Sequence, residues 1–208
     1  MKPPLALLLF LNVLVLWQNC LVAEVKRYKA DVCVYGGTAS GVMAAVAAHK
    51  EGSKVILVEP TRWLGGMTGG GINHLDWGKG ETVGGSTYKI LMEGLKDQKR
   101  AHGGHAKHGI GNKQYRERFK KLVKDRGITV IYDHRVGKVQ VGDETFDKPT
   151  RQQPIAMGEK IASKNKNNSI QSIILDYAPV DETGCPIPEP KKRNVITVSA
   201  KVFIDCSY

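Results

Sequence analysis

Closely spaced cysteine pairs are missing from this chain of 208 residues. Cys20, Cys33, Cys185 and Cys206 stand far apart, which excludes the CxxC motifs of zinc ribbons and thiol oxidoreductases. A P-loop, a Gly-x-Ser-x-Gly elbow and an HExxH helix are also missing. Walker-type nucleotide hydrolysis, the α/β-hydrolase triad and HExxH metalloprotease chemistry go with them. Beyond residue 23 no apolar run approaches the ~20 residues that a membrane-crossing helix needs. No internal repeat occurs.

The first segment does hold an apolar run. Lys2 precedes Leu5 to Trp17, interrupted only by Asn12, and Leu21-Val22-Ala23 offers a small residue for cleavage. This layout predicts a signal peptide over 1–23 rather than a retained anchor, and therefore a secreted chain or one in the secretory-pathway lumen. Gln18-Asn19 before Cys20 does not make a lipobox. Cleavage would remove Cys20 and leave three cysteines, an odd number. Cys33 and Cys206 fall in apolar strand patterns and are read as buried thiols, not a disulfide. Asn167-Asn168-Ser169 is a glycosylation sequon, meaningful only in a secreted chain.

The formal charge is +11, but Lys and Arg are scattered over helices and loops. We read a solvated basic surface, with an acidic glycan as the alternative partner and no nucleic acid.

The chain then reads as alternating elements. Asp31 to Tyr35 and Lys54 to Val58 are short buried strands around an alanine-rich helix, Gly41 to Lys50, closed by Gly52. This is a β-α-β unit, and its crossover implies a parallel sheet. Residues 65 to 85 hold nine glycines and are expected to be a loop that lets backbone approach a ligand. Helical character follows over 87–100 and, more clearly, from Asn112 to Gly127, where Tyr115, Phe119, Leu122 and Val123 recur at helical spacing. Ile128 to Tyr132 is a third parallel strand. Val136 to Val141, Ile170 to Tyr177 and Asn194 to Ser199 predict a three-stranded antiparallel meander, with Lys201 to Asp205 as a further strand. The fold class is α/β: a Rossmann-like domain with a parallel sheet, helices on both faces and an inserted meander, over residues 30–208.

Gly36-Gly37-Thr38-Ala39-Ser40-Gly41 sits between the first strand and the first helix, where G-x-G-x-x-G is expected. Gly36 fits the tight turn and Gly41 the close helix–strand contact; Thr38 stands where glycine usually lets a pyrophosphate approach. The helix N-terminus offers N–H groups and a positive dipole end to an anion. Glu59 ends the second strand, about where an acidic residue accepts from the adenosine ribose hydroxyls. Either NAD or FAD satisfies this pattern.

The run from Asp31 to Ala48 resembles the opening of FAD-dependent oxidoreductases of the glutathione-reductase-like superfamily. Val58-Glu-Pro-Thr-Arg-Trp-Leu-Gly-Gly-Met-Thr-Gly-Gly-Gly71 resembles a branch whose bacterial members are associated with xanthan lyase. That branch commonly carries threonine where Thr38 stands. Val202 to Tyr208 resembles the strand before the family's second flavin-contacting segment, a Glu-Gly-Asp, and the sequence stops before it. The resemblance implies that Gly36, Gly37, Thr38, Ser40 and Gly41 hold the pyrophosphate and Glu59 the ribose. Arg62, Gly65, Gly66 and Met67 would run along the pyrophosphate and flavin, and a backbone group near Val136 would meet the adenine. It also implies flavin-dependent hydride transfer with an extracellular small-molecule or glycan-derived substrate, the chain being the N-terminal, FAD-binding portion. An NAD-dependent dehydrogenase and an incomplete nucleotide-binding fragment without activity are the alternatives.

His102, His105 and His108 are spaced by three, but no Cys or carboxylate partner lies nearby, so no metal is expected. His74 and Asp76 after the glycine loop are read as loop residues, with an acid–base pair facing the flavin as the alternative, and Trp63 and Trp77 as residues that cover the cofactor or the core. No catalytic residue is designated.

Overall fold

The first strand, β1, runs Lys26–Tyr35. Its second half, Ala30 to Val34, is almost wholly buried because strands flank it on both sides and it is covered on both faces. This computed structural model describes residues 25–70, 85, 90, 112–147 and 169–207. The segment 1–23, the helix expected over 87–100, His74, Asp76, Trp77, the three spaced histidines, Asn167 and Asn168 lie outside the described residues.

Helix α1 spans Ala39–Lys50 and ends at Glu51 and Gly52, where φ turns to +84°. Strand β2, Val55–Glu59, is buried at every position. A short helix α2 covers Gly66–Gly70, and α3 covers Asn112–Lys124. The loop expected from residue 65 thus opens on a helical turn. Strands β3 (Thr129–Tyr132), β4 (His134–Val141), β5 (Glu144–Asp147), β6 (Ile170–Tyr177) and β7 (Lys192–Asp205) follow. All seven strands form one sheet in the order β3-β2-β1-β7-β6-β4-β5. The β3, β2, β1 and β7 pairings are parallel, as a β-α-β crossover requires, and the rest are antiparallel.

Two features go beyond the sequence pattern. The meander gains a fourth, edge strand, because Gly142 (φ +60°) turns β4 back into the short charged β5. Asn194–Ser199 and Lys201–Asp205 form one continuous strand. It pairs with β1 from Lys26↔Ile196 to Tyr35↔Asp205, while β6 borders only its first half.

Among the described residues the helices pack on one face of the sheet. Val32, Val34, Val55 and Leu57 face a core with Val42, Ala45 and Val46 of α1 and Tyr115, Phe119 and Val123 of α3. Both long described helices therefore share one face. The other face, with Ala30, Cys33, Ile56, Val58 and Ile131, is closed by the meander through Ile173, Leu175, Ile196 and Val198. Strands in this position are hydrophobic on both sides, which is why β1 and β2 lack alternation. Each fully buried side chain of this type contributes roughly 1.5–3 kcal/mol.

Cys33, Cys185 and Cys206 are free thiols, and they differ in exposure: Cys33 is buried and Cys185 exposed. Burial alone pushes the Cys33 thiol from its ordinary 9.0 up to about 12. At pH 8 a thiolate-directed reagent should label Cys185 in the folded chain and leave Cys33 untouched until denaturant is added. Peptide mass spectrometry reads both; equal labelling of the two in the folded chain would contradict the packing. The folded pKa is the higher one, so the stability linked to Cys33 is complete below 9.0 and drains away as pH rises toward 12.

Candidate functional site

The glycine turn is built by close approaches that only glycine permits. Gly36 takes φ +95°, and its N–H donates to Val58 O at 2.8 Å. A Cβ here would lie 2.7 Å from the Cys206 backbone, so the end of β7 runs directly past the turn. At Gly41, in the first turn of α1, a Cβ would come within 1.9 Å of Gly36 O. This is the intimate helix–strand contact that the third glycine of the motif serves.

Thr38 explains its own presence. Its Oγ1 accepts from Gly41 N–H at 3.1 Å, capping α1, and donates to Cys206 O at 2.9 Å. Ser40 Oγ lies 2.9 Å away. A hydroxyl has one proton and two lone pairs. With the proton on Cys206 O and one pair on Gly41, Ser40 must be the donor to the other. The buried Thr38 side chain thus points into the protein and is saturated. What it leaves for an anion is backbone: among the described residues the Thr38 and Ser40 N–H groups have no hydrogen-bond partner.

Glu59 is 6% exposed yet fully engaged. Its Oε2 accepts from Gly37 N–H at 2.5 Å and its Oε1 from Thr61 N–H at 2.6 Å. The carboxylate therefore joins the end of β2 to the glycine turn and holds the turn that follows it. A third strand of chain is drawn in by Gly65, whose N–H donates to Gly37 O at 2.7 Å, giving a parallel bridge between Thr38 and Gly65. Gly36, Gly37, Thr38, Ser40, Gly41, Glu59 and Gly65 thus form one hydrogen-bonded unit at the C-terminal ends of β1 and β2.

The other expected residues are placed differently. Arg62 is 55% exposed, and its Nε donates to both carboxylate oxygens of Asp133 at 3.0 and 3.1 Å. Gly66 (φ +51°) opens α2, and Met67 is largely exposed on it. Val136 stands in β4, paired with Leu175 of β6. Burial pushes the Tyr35 phenol up, with the Glu59 and Asp205 charges adding to it and the Val136 backbone and Arg135 opposing, so the phenol stays protonated.

Several residues matter here that the sequence pattern does not reveal. Phe119 of α3 lies against Gly65, where a Cβ would meet its ring at 2.3 Å. Arg116 stacks over Trp63 at 3.7 Å and donates to Gly69 O at 3.0 Å, pinning α2. Asp133, at φ +60°, receives Arg62. The one signal in the sequence is that Asp is among the few residues tolerated at positive φ, and it stands at the corner between two strands.

Residues 31–162 match the family described as FAD dependent oxidoreductase. The chain belongs to that family. FAD is accordingly its cofactor. Among solved structures it is similar to an L-proline dehydrogenase from P. horikoshii, at 16% identity and TM-score 0.41 over 88% of this chain and 23% of that one. It is similar also to a geranylgeranyl bacteriochlorophyll reductase-like protein from Thermoplasma acidophilum, at 14% identity and TM-score 0.47, covering 87% and 40%. A third is the myxobacterial FAD-dependent chondrochloren halogenase, at 15% identity and TM-score 0.47, covering 86% and 37%. The chain spans less than half the length of each of these three. No curated protein matches its sequence.

FAD fits the residues present. The open N–H groups at the start of α1 and the dipole behind them suit a pyrophosphate. A carboxylate has about four acceptor sites; Glu59 uses two on Gly37 and Thr61, which leaves lone pairs for ribose hydroxyls. Among the described residues no group of three His, Cys, Asp or Glu is placed to hold a metal ion, and no helix is long and apolar enough to cross a membrane.

Proposed function

We propose that this chain is the FAD-binding portion of a secreted flavin-dependent oxidoreductase acting on a small-molecule or glycan-derived substrate. The reading rests on one observation above all: the glycine turn, the start of α1 and Glu59 are joined directly, through the Gly37 N–H to Glu59 Oε2 bond. In this reading the Thr38 and Ser40 N–H groups and the dipole of α1 hold the pyrophosphate, and Gly36, Gly37 and Gly41 keep the turn tight enough to present them. Glu59 accepts from the ribose. Gly65, Gly66 and Met67 follow the cofactor toward the flavin, Arg62 runs beside its pyrophosphate, and a backbone group near Val136 meets the adenine. The flavin, when bound, supplies the hydride chemistry; these residues bind and orient it. Residues 1–23 as an export signal and Asn167 as a glycan acceptor belong to the same reading, supported by the sequence alone. Within the family, the xanthan-lyase-associated branch is supported by residues 58–71.

The test is the absorption spectrum of the purified chain after incubation with FAD and removal of the excess. The expected result is the flavin bands at near one-to-one stoichiometry, reduced severalfold or more in Glu59→Ala. Protein that carries no flavin, or that binds nicotinamide dinucleotide instead, would overturn the reading.

A further inference from the structure

The turn after β2 is fixed at nearly every point except one side chain. Thr61 N–H is held by Glu59, the Thr61 hydroxyl accepts from Trp63 N–H at 3.1 Å, and the Trp63 ring lies under Arg116. Between them Arg62 is free to choose where its guanidinium goes. It goes to Asp133, 71 residues away, with its Nε bonded to both carboxylate oxygens.

Asp133 is held for that purpose from both sides. Its N–H donates to Thr61 O at 3.3 Å, and its C=O accepts from Ala178 N–H at 2.8 Å. It sits at φ +60°, a conformation that costs a non-glycine residue energy and persists only where the surroundings impose it. Its side chain is 17% exposed against 55% for Arg62, so the carboxylate is the fixed partner and the guanidinium the mobile one.

The charges matter because of what lies three residues back. An arginine beside the ribose is the usual means of accepting a 2′-phosphate, whereas an acidic residue there accepts the 2′-hydroxyl and repels the phosphate. This chain carries both groups, Glu59 and Arg62, in one turn. With Arg62 neutralised by Asp133, the field at the ribose is left to Glu59. We infer that Asp133 is a specificity-determining positioning residue: by sequestering Arg62 it makes the site reject 2′-phosphorylated dinucleotides. This inference rests on the dinucleotide reading of the site.

The experiment compares binding of ADP-ribose and 2′-phospho-ADP-ribose to the full chain by calorimetry at low ionic strength. The two ligands differ only in the 2′-phosphate. The native chain should prefer ADP-ribose, and Asp133→Asn should shrink that preference by about tenfold, the size expected for one freed charge near the surface. The gain should fade as salt is raised. Asparagine tolerates positive φ as aspartate does, so the backbone bonds at 133 are kept. The double variant Arg62→Met/Asp133→Asn should return to the native preference, because the freed guanidinium is gone. A preference that does not differ between native and Asp133→Asn, or a gain that survives in the double variant, overturns the inference alone. Binding of neither ligand by the native chain overturns the dinucleotide reading with it.

Discussion

Gly41→Val should cost the chain about 3 kcal/mol or more of folding stability and abolish FAD binding. The new Cβ would lie 1.9 Å from Gly36 O and 3.1 Å from the Cys206 side chain. A side chain in that position could rotate away, but a backbone carbonyl in a tight turn has no such freedom. Helix α1 must therefore lift off β1, and Val42 and Ala45, both fully buried, come away with it. The displaced helix also carries off the Thr38 and Ser40 N–H groups, so loss of cofactor and loss of stability share one cause. Urea denaturation followed by circular dichroism, with a flavin titration of the same sample, measures both. Gly70→Ala is the control, because a Cβ there meets nothing within 4 Å among the described residues and φ is not positive; it should stay within about 0.5 kcal/mol of the parent. A Gly41→Val chain that melts with the parent would mean that the turn and helix are not packed as described.

Glu59→Ala should be nearly as damaging, for an electrostatic rather than a steric reason. It strips the partner from two N–H groups at once, those of Gly37 and Thr61. Each buried donor left without a partner costs roughly 1–3 kcal/mol, and charge-assisted bonds stand at the upper end. A loss of about 3 kcal/mol in folding stability is expected on that basis. Glu59→Gln separates the contributions: its amide keeps the shape and one acceptor, but turns an NH2 toward a donor. It should fall between parent and Glu59→Ala in stability and bind FAD more weakly than the parent. Denaturant titration and quenching of flavin fluorescence distinguish the three chains. If Glu59→Ala kept full stability, the carboxylate would not be the link between β2 and the glycine turn.

The parts of this architecture that could be read from residues alone are those set by local sequence. The buried runs at 31–35 and 54–58, the glycines at 36 and 41 and the acid at 59 lie within thirty residues, and neighbours along the chain dictate them. Even the departure at Thr38 has a local meaning: a threonine just before a helix is a cap, and here it caps α1. The continuity of β7 was not legible, because its first half is bordered by β1 and β6 and its second half by β1 alone. Burial therefore changes at Ala200–Lys201 and mimics a strand boundary. The clustering of both long described helices on one face was hidden for a similar reason. Nothing within β6 says which sheet face its apolar residues will close. Asp133 and Arg62 are the same problem at the site, since a pair 71 residues apart leaves no mark in the spacing of either.

β7 also decides when the described sheet can close. Its pairing with β1 joins Lys26 to Ile196 and Tyr35 to Asp205, so a middle strand of the sheet finds its second neighbour only about 170 residues later. Contacts of such long range are slow to close. During synthesis the apolar edge of β1 must wait, with β2 on one side and nothing on the other, until almost all of the described chain has left the ribosome. An unpaired strand of that kind is the template on which chains stick to one another. Yield should therefore depend on how long β1 is left waiting, and faster translation of the segment between β3 and β7 should shorten that exposure.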